Sequence, residues 1–157
     1  MPSIEKQKAI ICVYMMFMKD SDILMGRRIN KKYMSDHYTI PTGHVDNTIE
    51  DDKTSNETPV NAVIRESLEE AGVSVAEKDI EHVLTQIKPS DDVPEPRVCL
   101  YFKINRWTGE LTNQEPDQAD NFGFYPVDNL PGPLMPELAS AFKAIKENRS
   151  FDQFGYN

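Results

Sequence analysis

The stretch TPVNAVIRESLEEAG, residues 58–72, constrains the chain most, because it carries a helix start, a helix stop and a charge pattern with helical spacing. Thr58 suits a cap, Pro59 the first helical position, and Gly72 the left-handed residue that ends a helix. At about 100° per residue, with Arg65 at zero, Glu69 falls near 40°, Glu66 near 100° and Glu70 near 140°. The four charges therefore share one face. Val63, Ser67, Val60, Ala71, Ile64 and Leu68 fall between about 160° and 300°, which predicts the side turned to the core.

A solvated face is the common reading of a Glu-rich helix, and Arg65 with Glu69 is an ordinary i,i+4 pair worth about 0.2–0.5 kcal/mol. Against that reading stands the crowding of Glu66, Glu69 and Glu70 near the negative end of the helix dipole, where anions are disfavoured. A hard divalent cation such as Mg²⁺ or Mn²⁺ offsets such a cost, being satisfied by carboxylate oxygens, water and substrate phosphates.

Elsewhere, apolar runs bounded by polar or Pro/Gly clusters predict strands at 9–18, 22–28, 37–41, 80–87, 97–106 and 121–127. A second helix is predicted over 135–148, with Pro136 near its start and Leu138, Ala141, Phe142 and Ile145 at helical spacing. Two segments read as long loops: 46–56, polar and acidic, and 88–96, with three prolines. The run AIICVYMMFM, residues 9–18, is too short to span a bilayer and lacks a small-residue cleavage site after it, so it reads as a buried strand. Cys12 and Cys99 lie in apolar runs and read as small buried hydrophobes, with no disulfide framework.

At 157 residues the chain is long enough for one domain with a real core. Its formal charge of −9 argues against nucleic acid duplexes and anionic membranes as partners, since both demand a basic surface. An anionic substrate then needs local cations or metal. Arg27 and Arg28 follow the second strand, and neighbours in a strand point to opposite faces, so one of the two, hardly both, is expected to meet substrate phosphate. His37, His44 and His82 show no metal-ligand spacing, and Trp107 and Phe124 read as core rather than as a base-stacking platform. A phosphate-binding Gly-rich loop and a nucleophilic triad are both missing from the sequence.

Residues 43–73, GHVDNTIEDDKTSNETPVNAVIRESLEEAGV, resemble the Nudix box of the MutT-like Nudix hydrolases: Glu57, seven residues, Arg65-Glu66, Glu69-Glu70, Gly72 and Val73 match in register. Two departures stand out. Thirteen residues separate Gly43 from Glu57 where the family has five, an insertion of eight in the acidic loop, and Ser67 fills a usually aliphatic slot. Asp46 to Glu57 also has the twelve-residue length of an EF-hand loop, but Asp51 stands where that loop needs Gly and no helix precedes it.

The resemblance implies an α+β fold, a mixed β-sheet sandwiched between helices (αβα), as a single domain over 1–157. It implies water attack on a phosphorus of a nucleoside diphosphate linked to a further moiety, with Mg²⁺ or Mn²⁺ held by Glu66, Glu69 and Glu70 and by the Gly43 carbonyl, the last in doubt because of the insertion. Arg65 and Glu57 are expected to form an orienting pair. The general base is open between Glu66 and a later loop glutamate, for which Glu115 is the candidate. A weaker likeness covers 106–131 and 151–156, and it points to Asp117 and Asp120 as base-reading residues, with plain surface solvation as the competing role. A small-molecule nucleotide substrate follows from the resemblance, and a cytoplasmic location is expected from the reading of 9–18 as a buried strand and the lack of a disulfide framework; a nucleoside triphosphate, canonical or oxidised, leads, ADP-ribose or a nucleotide sugar is the alternative, and a nucleotide-sensing module without catalysis is the competing class. The oligomeric state is not legible in the sequence.

Overall fold

The computed structural model describes residues 1–156. Along them the chain runs β1 (Ile10–Lys19), β2 (Asp22–Arg28), β3 (Tyr38–Thr39), β4 (Thr42–His44), β5 (Asn47–Glu50), β6 (Lys53–Asn56), α1 (Pro59–Ala71), β7 (Ile80–Lys88), β8 (Arg97–Ile104), β9 (Ala119–Pro126), α2 (Pro136–Lys146) and β10 (Phe151–Gln153).

β1 is the hub. Cys12, Tyr14 and Met16 point to one face of the sheet, Val13, Met15 and Phe17 to the other, and all six are buried. A strand buried on both faces reads as an uninterrupted apolar run, which is why 9–18 looks like a membrane segment in sequence. β8 lies parallel to β1, β7 antiparallel to β8, and β10 parallel to β7 at the edge. On its other side β1 divides its partners: Cys12 to Tyr14 pair with β4, and Met18 and Lys19 pair with β2, which carries β3 and β9. α2 covers the face that includes Tyr101, with Leu138, Ala141 and Ala144 buried; α1 covers the face of Met15 and Phe17, burying Ala62, Val63 and Ala71. The expected mixed sheet between two helices is therefore what the chain forms. No helix among the described residues is long and apolar enough to cross a membrane.

Three expectations need correction. Residues 46–56 are not an unstructured loop: β5 and β6 pair as a separate hairpin, with Asp51 and Asp52 at φ of 49° and 59° in the turn. Two consecutive positive-φ residues are what a two-residue turn between twisted strands demands, and aspartate tolerates them. Every residue of both strands is exposed, so no apolar alternation announced them. The single strand expected at 37–41 is two short ones, β3 and β4, and β10 was not expected. Finally, α1 is rolled from the expected orientation: Leu68 is 58% exposed, while Ala62 and Glu66, on the charged side of the wheel, are buried. The helix packs against β1 and β4, and Gly43 on β4 presents no side chain, so the carboxylate side of the helix closes onto the sheet.

Candidate active site

α1 begins and ends as its sequence requires. The Thr58 hydroxyl oxygen accepts from the Asn61 amide at 3.1 Å, and Gly72, at φ 71°, donates its amide to the Leu68 carbonyl at 3.1 Å. These caps fix the ends of the helix, and its packing against β1 and β4 sets the direction of its four charges. Ser67 is wholly buried, its hydroxyl donating to Met15 Sδ at 3.5 Å, and therefore belongs to the packing of the helix on β1.

Arg65 gathers the acids. Its Nε and Nη2 donate to Glu57 at 2.8 and 2.9 Å, Nη1 donates to Glu66 at 2.9 Å and to Glu69 at 3.2 Å, and Nη2 also reaches the His44 carbonyl at 2.9 Å. The two-pronged contact to Glu57 has the geometry in which a guanidinium is strongest, and it holds the Glu57 carboxyl below its usual range. Glu57 in turn accepts the Asp46 amide at 3.1 Å, while the Glu57 amide donates to the Asp46 carbonyl at 3.1 Å. The ends of the insertion are thus pinned together, and the extra residues leave the site as a self-contained hairpin.

Gly43 consequently stays beside the helix. A Cβ built on it would overlap the Glu66 side chain, which would have to move aside. Glu66 is buried and Glu70 half-buried, and both carboxyls are raised. For Glu66 burial is the cause, opposed by Arg65; for Glu70 burial, then Glu115, then Glu66, push the carboxyl up to about 7. Glu115 is brought there by its loop, which is stitched to the end of α1 through the Thr112 amide on the Ala71 carbonyl at 3.0 Å. Glu70 and Glu115 border a small cavity of about 70 Å³.

Glu66, Glu70 and Gly43 line one side of a larger cavity of about 400 Å³, and Arg28, Lys88 and Arg97 line it as well. Acids and cations facing one cavity suit a ligand that carries metal-bound phosphate. Arg28 donates from Nη2 to the Tyr33 carbonyl at 3.1 Å, but its Nε is buried without a partner among the described residues. Arg27 points the other way and is held by Asp120 at 2.8 and 2.5 Å. The two arginines divide as strand geometry requires. Asp117 is exposed and, with Asp120, lies outside this cavity. Lys88 and Arg97 were missed in the sequence: they flank the proline-rich loop, and only the parallel pairing of β8 with β1 carries Arg97 to Cys12 and His44.

The donor set fits a hard divalent cation, since Glu66, Glu69 and Glu70 offer only carboxylate oxygens and Glu70 carries a charge that burial opposes. It is not a finished cage. Among the described residues no three of His, Cys, Asp and Glu stand in cation-binding geometry, because Glu66 and Glu69 turn to Arg65.

The NUDIX domain model matches residues 6–145. The chain belongs to the Nudix hydrolase family. It is 25% identical over 112 residues to an 8-oxo-dGTP diphosphatase of Proteus vulgaris, a match covering 71% of this chain and 88% of that protein. Among solved structures, a MutT Nudix hydrolase from Burkholderia pseudomallei superposes with a TM-score of 0.72 at 22% identity, covering 87% of this chain and 98% of the other. The MutT protein of Methanosarcina mazei superposes with a TM-score of 0.69 at 16% identity, over 92% and 97%. At such identities the structural likeness establishes the fold, which is MutT-like.

Proposed function

We propose that this Nudix hydrolase cleaves the pyrophosphate linkage of a nucleoside triphosphate, with oxidised purine nucleotides within its substrate class and with Mg²⁺ or Mn²⁺ as the cation. The observation that carries the reading is the cavity itself: Glu66, Glu70 and Gly43 share it with Arg28, whose buried Nε lacks a partner, and with Lys88 and Arg97. The likeness to a diphosphatase of an oxidised nucleotide supports the substrate class.

Glu66, Glu69, Glu70 and the Gly43 carbonyl are the residues that would hold the cation. When bound it supplies charge neutralisation of the phosphates and a lowered pKa for coordinated water. The protein's own groups do the rest. Arg65, fastened to Glu57, fixes the directions of Glu66 and Glu69, and Arg28 offers its free N–H to a phosphate oxygen. Glu115, which borders the 70 Å³ cavity together with Glu70, is our candidate for accepting a proton from attacking water, and Glu66 takes that role instead if its carboxylate leaves Arg65. Asp120 is engaged by Arg27, so a base-reading role for it, or for exposed Asp117, requires that loop to move onto the nucleotide.

The test is release of phosphate or pyrophosphate from canonical and oxidised nucleoside triphosphates, ADP-ribose and dinucleoside polyphosphates, each with Mg²⁺ and with chelator. Chelator-sensitive turnover of a triphosphate is the expected result. Preferred turnover of ADP-ribose would replace the substrate class, and binding without turnover across the panel would replace the enzyme by a sensing module.

A further inference from the structure

β1 and β8 run parallel and in register from Ile10 against Arg97 to Phe17 against Ile104, and this sets Cys12 beside Cys99. Opposed side chains of the two strands touch: two residues further on, the Tyr14 and Tyr101 rings stack with centroids 4.5 Å apart, on the face that both cysteines share. Neighbouring strands lie about 4.8 Å apart, within the Cα separation that a disulfide accepts. Both thiols are free.

Their surroundings differ. Cys12 borders the 400 Å³ cavity and keeps 5% exposure, whereas Cys99 is sealed at 0%. Arg97 Nη1 lies 3.5 Å from Cys12 Sγ and 3.0 Å from His44 Nε2. A hydrogen bond from the Cys99 thiol, aided by Arg97 and His44, holds the Cys12 thiol below its usual range against the effect of burial; the Cys99 thiol is pushed up. Hydrolysis uses neither sulfur.

We propose that Cys12 is a hydroperoxide-reactive thiol in the wall of the active-site cavity and that Cys99 is its resolving partner. The Cys12 sulfur attacks one peroxide oxygen, the O–O bond breaks, and water or an alcohol leaves with the thiol proton, giving a sulfenic acid. The Cys99 sulfur then attacks the Cys12 sulfur, the S–O bond breaks, and water leaves with the Cys99 proton as the disulfide forms. Two thiols are oxidised and one peroxide is reduced. The disulfide takes the Cys12 thiol away from Arg97, so oxidation alters the polar lining of the cavity wall; that consequence rests on the cavity being the substrate site, and the thiol chemistry does not.

The experiment exposes the full chain to hydrogen peroxide with glutathione as an internal control, then counts free thiols after denaturation and measures intact mass. Both thiols are expected to disappear with loss of two hydrogen atoms, and dithiothreitol is expected to restore them. In Cys99→Ser a single dimedone adduct on Cys12 is expected; in Cys12→Ser the remaining thiol is expected to persist. Two thiols still free in the folded parent after the glutathione is consumed would overturn the assignment, and so would equal thiol loss in Cys12→Ser. A methylene-bridged nucleoside triphosphate analogue is expected to slow the loss about tenfold by covering Cys12, a 1.4 kcal/mol effect. Disulfide formation unslowed by bound analogue would support the thiol pair while removing the cavity as the nucleotide site; no disulfide in the analogue-free protein, with the analogue still binding to it, would remove only the thiol pair.

Discussion

Gly43 lies so close to Glu66 that a methyl group on its Cα would occupy the space of the Glu66 side chain. The contact crosses from the short strand β4 to α1 and survives an insertion of eight residues between them, because Asp46 and Glu57 close the insertion at its base. Gly43→Ala is therefore expected to displace the Glu66 carboxylate while leaving the two cores intact. A shift of about 1 Å in such a group costs on the order of a hundredfold in rate. Steady-state kinetics beside far-ultraviolet circular dichroism checks this: a folded variant with unchanged kcat would detach Gly43 from the chemistry.

Arg65 serves four acids, since Asp46 also lies 3.2 Å from its Nη2 beside Glu57, Glu66 and Glu69. Arg65→Ala leaves these charges to repel one another. With 30% of the side chain exposed, solvent screens part of the effect, so a loss of about 1–2 kcal/mol is expected in urea denaturation at neutral pH. Lysine cannot reproduce the two-pronged contact to Glu57, and Arg65→Lys is expected to recover less than half of the loss. Full recovery by lysine would show that charge alone, without the planar fork, holds the acids.

Helix α1 was legible because its information is local: Thr58, Pro59 and Gly72 fix its ends, and the spacing of Arg65, Glu66, Glu69 and Glu70 fixes a face. Its roll about its own axis was not legible, since that depends on Gly43, a residue fifteen positions before Thr58 whose missing side chain admits the helix edge. The strands that read as continuous apolar runs, β1 and β8, are those buried on both faces. β5 and β6 carried no such signal, being held by backbone pairing and an Asn56–Asn47 side-chain bond of 2.8 Å. Lys88 and Arg97 became site residues only through strand order, which no local pattern encodes.

The hairpin contributes little to the fold. Its strands are exposed throughout and pair only with each other, so deleting residues 47–54 removes little buried surface and leaves Asp46 and Glu57 joined by a short turn. The melting temperature is expected to change by no more than about 4 °C, an amount corresponding to about 1 kcal/mol in a domain of this size. A rise in KM with kcat retained is expected if the hairpin acts as a flap over bound nucleotide. Identical KM and kcat in the shortened chain would exclude that role.

At the opposite edge, β10 is held by a buried polar network. Asp152 accepts from Gln86 Nε2 at 2.9 Å and from the Ser140 hydroxyl at 2.8 Å, and Gln86 also donates to the Glu137 carbonyl at 2.9 Å. Gln86 is fully buried, so Asp152→Ala leaves an amide donor one partner short where water does not reach. A destabilisation of about 2–3 kcal/mol is expected by chemical denaturation. The Lys88–Glu137 pair on the cavity wall, 3.1 Å apart, adjoins this network, and KM is expected to rise with the loss of stability. A loss below about 0.5 kcal/mol would mean that β10 is held mainly by its backbone pairing with β7.

Glu70 gives the site a pH signature that can be read without any cation present. Burial, Glu115 and Glu66 raise its carboxyl from 4.5 to about 7. A raised carboxyl favours the folded state fully below the unfolded value, and that contribution is lost as pH climbs through the folded one, so Glu70 weakens the fold between about pH 4.5 and 7. Glu57, Asp92 and Asp120 shift downward and act with the opposite sign, at lower pH. The contribution of Glu70 is therefore isolated by comparison with Glu70→Gln, which cannot ionise. In chelator, the parent is expected to lose stability relative to the variant by up to roughly 3 kcal/mol across that window, less what solvent screens at a partly open carboxylate. Adding Mg²⁺ at pH 8 is expected to stabilise the parent and leave the variant nearly unchanged, because the cation neutralises a charge that only the parent carries. Parallel stability curves for the two proteins from pH 4.5 to 8 would show that Glu70 ionises as an ordinary surface acid and that the crowding of carboxylates on this helix is relieved by solvent alone.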